Sequence, residues 1–181
     1  IIGRLVGSEM CIRDRVRLVD APVAGSTPQA EARQLAYLIG GAEADVADAM
    51  PVLTLMGAKH LHVGPRGQGA VFKLVVNALF ATQVAAISEL LKMAADQGLS
   101  EERTLSLLRP LPVTSPAAAG VAGLMLAADH ASRFPVDLVA KDLRYAVSAG
   151  AGPVVAGAQA RFEEAAAAGH GALNLSAVHL L

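Results

Sequence analysis

The chain contains no tryptophan, two tyrosines and four phenylalanines. So few flat rings offer no stacking platform for bases. The fifteen basic and sixteen acidic residues, net −1, lay down no electrostatic track for a phosphate backbone. Nucleic acid is therefore set aside as a partner. A single cysteine, Cys11, rules out an internal disulfide and suits a reducing compartment, so a cytoplasmic location is expected. HExxH, CxxC pairs and GxSxG are all missing, and with them the commonest zinc, redox and serine-hydrolase signatures. The only close histidine pair, His60 and His62, would share one face of a strand; two histidines alone rarely make a metal site, so no metal is expected. An uninterrupted membrane span is also lacking. A spanning helix needs about 20 apolar residues, and of the two best windows Lys73 and Asn77 interrupt one while Pro110, Pro112 and Pro116 interrupt the other. No membrane crossing is expected.

What is present is apolar. Of 181 residues, 54% are hydrophobic, enough for a substantial core. The positive mean hydropathy and abundant alanine suggest more apolar surface than a lone small domain can bury, which points to a partner subunit or a further domain.

Residues 1–15, IIGRLVGSEMCIRDR, have no period of 2 or 3.6 and no turn signals. VGSEMCIRDR resembles translated sequencing-adaptor sequence, and this stretch is expected to be a non-native or disordered tail. A cleaved signal peptide is the competing reading, but Glu9, Arg13, Asp14 and Arg15 fall where its apolar stretch and cleavage site should lie.

Beyond the tail, Val16, Leu18 and Val19 suggest a short strand running into the loop DAPVAGSTPQA. Leu35–Ile39 reads as a second strand, Glu43–Met56 as an amphipathic helix and Lys59–Val63 as a third strand. Residues 16–64 thus look like the edge of a sheet, not a whole one. After Gly69 no Gly or Pro occurs until Gly98, which predicts a helix roughly 40 Å long with Gly98 as its stop. Further helices are expected over Ser100–Leu108, Ala117–Ala131, Val136–Ala149 and Val154–Ala168. The composition boundary near Gly64 divides α/β sequence from an all-α region, 65–181.

The stretch Gly64–Asn77, GPRGQGAVFKLVVN, is the chemically suggestive one. Lys73 and Asn77 stand one helical turn apart among Val71, Phe72, Leu74, Val75, Val76, Leu79 and Phe80. From spacing alone the plainer reading is a snorkelling lysine whose ammonium reaches water. Three features favour chemistry instead. Burial among hydrocarbon without purpose would cost several kcal/mol. A place in about the first turn of its helix would favour the neutral amine. Finally, Asn77 supplies no carboxylate to oppose that effect. A lysine so tuned can serve as general acid and base.

DAPVAGST, the GxxGxGxxxKxxxN run and the later KDLRYA occur in order at plausible distances. In these the chain resembles the β-hydroxyacid dehydrogenases, the group that includes 3-hydroxyisobutyrate dehydrogenase and 2-hydroxy-3-oxopropionate reductase and is related to 6-phosphogluconate dehydrogenase. The resemblance covers residues 16–181. It implies a mainly α fold with a short α/β remnant: the last strands of a Rossmann domain, a long interdomain helix and an all-α C-terminal domain. It also implies hydride transfer between NAD or NADP and a small β-hydroxy acid or its semialdehyde, in a homodimer. Lys73 would be the acid/base and Asn77 would orient the substrate. Backbone N–H groups of Ala24, Gly25 and Ser26 would hold the carboxylate, although without the resemblance that loop is a simple turn. Lys141, with Phe134, would lie on the cofactor side, where unaided reading finds only a charged helix face of Lys141, Asp142 and Arg144.

There are departures. Ala24 stands where many members carry a serine, leaving backbone donors alone, and Ala172 and Asn174 stand where aspartates are frequent. No GxGxxG occurs, since Gly64, Gly67 and Gly69 are spaced GxxGxG, and after Gly150 and Gly152 the third glycine, Gly157, comes too late. A truncated gene model lacking most of the Rossmann domain is the expectation, with association but no activity in isolation. The other hypothesis is a helical dimerisation module without chemistry.

Overall fold

The computed structural model describes residues 17–181; the expected tail, Cys11 and Val16 lie outside the described residues. The chain forms two compact units that divide between Val76 and Asn77.

The first unit is built on a three-stranded sheet of order β1-β2-β3: β1 (Val23–Ala24), β2 (Leu35–Gly40) and β3 (Gly57–Gly64). β1 runs antiparallel to β2, with Val23 opposite Tyr37 and Ala24 opposite Ala36. β2 and β3 are parallel, which requires a crossover, and the 14-residue helix α2 (Glu43–Met56) provides it. Tyr37, Ile39, Val46 and Leu53 form the small core between sheet and helix. Within the loop DAPVAGSTPQA the structure adds β1 and a short helix, α1 (Thr27–Glu31), neither of which the sequence reading separated from the loop. His60 stacks on the Tyr37 ring, centroids 5.9 Å apart, while His62 Nε2 lies 2.9 Å from the Gly41 carbonyl oxygen. No group that could hold a metal occurs among the described residues.

Helix α3 (Gln68–Asp96) has 29 residues. It ends as its sequence predicts: Gly98 adopts φ +87°, its N–H reaches Ala95 O at 2.9 Å, and the Leu99 N–H reaches Ala94 O at 2.9 Å. Those two bonds satisfy carbonyls that the last turn would leave open. By length and composition α3 does qualify as a possible membrane span, so Lys73 and Asn77 do not exclude one as expected. Packing gives the other account of its apolarity, because Ala81, Val84 and Leu91 are wholly buried in the core of the second unit.

That second unit is helical. It comprises the remainder of α3, α4 (Glu101–Leu108), α5 (Pro116–Leu126), α6 (Val136–Ser148), α7 (Pro153–Ala165), a π-helical turn (Ala166–His170) and a 3-10 helix (Leu175–Leu180). Ser100 and Ser115 cap α4 and α5 by accepting the Arg103 and Ala118 N–H groups. α5 stops five residues before the expected Ala131. Its terminator is Ala128, an alanine at φ +51°, so no glycine marks the stop in the sequence. The following residues are instead held by the C-terminal segment: Ser176 Oγ donates to Asp129 O at 3.1 Å, and the Asn174 N–H donates to His130 O at 3.0 Å.

Phe162, Leu91, Leu143, Val136 and Val139 centre the core, joined from the far end of the chain by Leu175, Ala177 and Val178. The 3-10 helix is locked by polar contacts as well. His179 Nδ1 lies 3.1 Å from Ser88 Oγ, its Nε2 lies 3.1 Å from Glu101 Oε2, and His130 Nδ1 lies 2.9 Å from Ser176 Oγ. Burial first, then repulsion from the nearby His179 and His170, hold the His130 imidazole below its ordinary value against the opposing pull of Asp129. Asn174, 1% exposed, accepts the Phe134 N–H and donates to Ser176 Oγ, so it docks the segment before the 3-10 helix; Ala172 is exposed.

Candidate functional site

In the first unit, the motif DAPVAGST and the glycine-rich turn before α3 are joined by their least conspicuous member, Asp20. Its Oδ1 accepts the Gly67 N–H at 2.5 Å and its Oδ2 accepts the Ala70 N–H at 2.8 Å. Its backbone pairs with Gly40, N–H to O at 2.9 Å and O to N–H at 2.8 Å. The fit around this carboxylate is close. A Cβ on Gly69 would strike the Leu38 carbonyl oxygen and lie 2.7 Å from Asp20 Oδ2, and a Cβ on Gly40 would strike Asp20 Oδ1. Gly69→Ala is therefore expected to cost about 1–3 kcal/mol through forced backbone shifts, measured as a lowered denaturant midpoint; a midpoint equal to wild type would refute the close fit.

The expected carboxylate loop is more committed than the sequence suggests. Ala24 ends β1 opposite Ala36. Ser26 is the N-cap of α1, accepting the Ala30 N–H at 3.0 Å, and both its N–H and its hydroxyl donate to Gln29 Oε1, at 3.0 and 2.7 Å. This is half of a capping box, and the S-T-P-Q string that encodes it was there to be read. A substrate carboxylate at this loop would use the Ala24 and Gly25 amides or displace Gln29.

Lys73 is the sixth residue of α3, in its second turn, because the helix starts at Gln68. The macrodipole acts mainly within the first turn, so Lys73 lies one turn beyond its main reach. The burial premise changes too: Lys73 is half-buried, and its neighbours Val71, Phe72, Val75 and Leu79 are 38–59% exposed. An apolar neighbourhood in sequence is not the same as burial.

Asn77, Phe134 and Lys141 belong to the second unit. Asn77 is buried, and its Nδ2 donates to Asp142 Oδ2 at 2.7 Å. Asn77 itself brings no carboxylate, as its sequence says, but α6 supplies one across 65 residues. The bond to Asp142 uses one of the two N–H donors of the amide, and its carbonyl oxygen is an acceptor of the kind suited to a hydroxyl or ammonium donor. Lys141 Nζ lies 3.2 Å from Asp142 Oδ1 and 6.0 Å from the centre of the Tyr145 ring, with 44% of its side chain exposed. Asp142 thus joins Asn77 to Lys141, a role that a charged face in sequence could not reveal. Phe134 is partly buried against the helical core and anchors the segment before α6. Arg144, the third member of that charged face, pairs instead with Glu163 at 3.3 Å.

Comparison with known proteins adds to this geometry. Residues 67–181 match the family model described as the NAD-binding domain of NADP-dependent 3-hydroxyisobutyrate dehydrogenase. Residues 8–64 match that of the NAD-binding domain of 6-phosphogluconate dehydrogenase. The chain is 34% identical over 167 residues to glyoxylate/succinic semialdehyde reductase 1 of Arabidopsis thaliana, covering 90% of this chain and 58% of that one. It is 35% identical over 166 residues to 2-(hydroxymethyl)glutarate dehydrogenase of Eubacterium barkeri, covering 88% and 55%. Among solved structures, the 3-hydroxyisobutyrate dehydrogenase of Mycobacterium tuberculosis with L-serine superposes with a TM-score of 0.79 at 29% identity, over 90% of this chain and 60% of that one. The chain therefore spans somewhat more than half the length of these relatives. With the lysine helix, the DAPVAGST loop and KDLRYA in family order, and one family model covering everything from Gly67 to Leu181, the chain belongs to the β-hydroxyacid dehydrogenases.

Proposed function

We propose that this chain is the part of an NAD(P)-dependent β-hydroxyacid dehydrogenase that carries the acid/base lysine. The observation that carries the reading is Lys73 on α3, one turn before Asn77 and one turn after the segment that Asp20 anchors. In the oxidation direction Lys73, as the free amine, takes the hydroxyl proton while the carbon-bound hydrogen leaves as hydride; in reduction its ammonium returns that proton to the nascent alkoxide. Asn77 accepts a hydrogen bond from the substrate hydroxyl. The DAPVAGST loop binds the carboxylate. A nicotinamide cofactor, when bound, supplies the hydride acceptor or donor. Lys141 suits that ligand, since its ammonium is held by Asp142 on a side chain that is 44% exposed, within reach of an anionic group. With no GxGxxG in the sequence, these residues account for part of a cofactor site.

Glyoxylate, succinic semialdehyde and 2-(hydroxymethyl)glutarate in the relatives' names fit this role. The preferred substrate is thus a small acid with a hydroxyl or aldehyde near its carboxylate. The test joins the chain to the cofactor-binding domain of a relative and follows NADH and NADPH oxidation with a panel of such semialdehydes. Carboxylate-dependent turnover is expected from the joined protein and none from the 181-residue chain alone. A joined protein that binds cofactor yet reduces none of the panel would overturn the reading.

A second reading is supported by the exposed stripe Leu79, Leu90 and Met93 on α3, 48–59% exposed, which suits a homodimer contact. Light scattering on the chain is expected to give twice the monomer mass.

A further inference from the structure

We propose that Asp20 is a positioning residue for the reaction: its carboxylate pins the first turn of α3 to the end of the sheet and thereby fixes where Lys73 stands. The inference rests on Lys73 being the acid/base, as proposed above. The geometry is independent of that assignment.

A helix begins with N–H groups that have no partner in the helix. The usual remedy is a neighbouring Ser, Thr, Asp or Asn one residue ahead of the first turn. Here the positions ahead of Gln68 are Gly64, Pro65, Arg66 and Gly67, none with a side-chain acceptor. The acceptor comes instead from 47–50 residues upstream, and it is a carboxylate that takes two N–H groups at once. Charge-assisted bonds of this kind are roughly twice as strong as neutral ones, and a negative group at a helix N-terminus is favoured by the macrodipole.

Asp20 is itself held in place. Its N–H and C=O pair with Gly40 at the end of β2, so the carboxylate is a rigid extension of the sheet. Gly40 and Gly69 leave no space for the helix start to slide, because a Cβ on either would collide with Asp20 or with backbone. The helix start is thus fixed by two hydrogen bonds and two close approaches. From Ala70 to Lys73 is three residues, less than one turn, which rises about 4.5 Å along the axis. Little freedom remains between the anchor and the Lys73 backbone. Displacement of a reacting group by about 1 Å can cost on the order of 100-fold in rate.

The test uses Asp20→Ala, with Asp20→Asn as the conservative variant that keeps one acceptor and loses the charge. Hydrogen exchange on the 181-residue chain reads the anchor directly. In Asp20→Ala the Gly67 and Ala70 amides are expected to exchange at least ten times faster, while amides in Ala81–Leu91 keep their wild-type rates. Turnover of the protein joined to a cofactor domain reads the consequence: kcat is expected to fall about 10–100-fold with cofactor KM unchanged, and Asp20→Asn to recover part of it. Unchanged protection at Gly67 and Ala70 in both variants would overturn the anchor. Faster exchange with undiminished kcat would reduce Asp20 to a structural cap and overturn the positioning role. Should Asp20→Ala fail to fold, Asp20→Asn carries both measurements. Turnover surviving Lys73→Met would instead remove the catalytic reading, leaving the exchange result as a separate finding about α3.

Discussion

Lys73→Met in the joined enzyme is expected to lower kcat by about 10²–10⁴-fold, the range that a positioned general acid/base contributes. Methionine keeps the length and apolar character of the lysine stem, and Lys73 is half-buried on a helix whose neighbours are open, so the fold should accept it. What would disappear is the group proposed above to take and return the proton. Lys73→Arg separates charge from proton transfer, because a guanidinium stays protonated at working pH and cannot act as base. If the ammonium served only to attract the substrate carboxylate, arginine would restore turnover; if it moves a proton, arginine should be as poor as methionine. Stopped-flow single turnovers would keep the chemical step apart from product release. Near-wild-type rates in the methionine variant would sink the assignment.

Phe162→Ala is expected to destabilise the helical unit by about 3–5 kcal/mol. The ring is fully buried on α7 and belongs to the same core as Leu91, Leu143, Val139 and Val178. Removing it costs the transfer energy of the ring and leaves a void lined by residues from several elements, which cannot all close in at once. Domains as a rule have only about 5–15 kcal/mol to lose, so a large part of the stability is at stake. Urea unfolding followed by far-ultraviolet circular dichroism measures the loss, with Val113→Ala, at a position 81% exposed, as a control expected to stay within about 0.5 kcal/mol. A Phe162→Ala midpoint matching the control would mean that the core lies elsewhere.

What could be read from the sequence was what is encoded locally. The absence of Gly and Pro between Gly69 and Gly98 gave the length of α3, Ser100 before Glu101 and Glu102 gave the start of α4, and the apolar run Leu35–Ile39 gave β2. The stop of α5 was not legible because an alanine fills the left-handed position that usually announces itself as glycine. The site divides the same way. Lys73, Asn77 and Lys141 were visible as residue types at helical spacing or in a motif. Their partners were not: Asp142 reaches Asn77 across 65 residues, and Asp20 reaches Gly67 and Ala70 across 47 and 50. Nothing in local spacing records such pairings. Gln29 is different, since the local spacing of Ser26 and Gln29 does encode their hydrogen bonds, which compete with a carboxylate for the Ser26 N–H.

The buried 3-10 helix bears on how the protein is made. Leu175, Ser176, Ala177 and Val178 are at most 3% exposed, and the contacts that hold His179 close loops of 78 and 91 residues. Such distant pairings are formed late and slowly, since the entropy of closing the loop is lost before any contact repays it. On a ribosome, α3 to α7 emerge first, yet the centre of their bundle stays open until the segment from residue 175 to 180 arrives to plug it. Through that interval the nascent helices present apolar surface with nothing to cover it, the state in which chains aggregate or recruit chaperones. A lesion within residues 170–181 should therefore appear first as poor recovery of soluble protein.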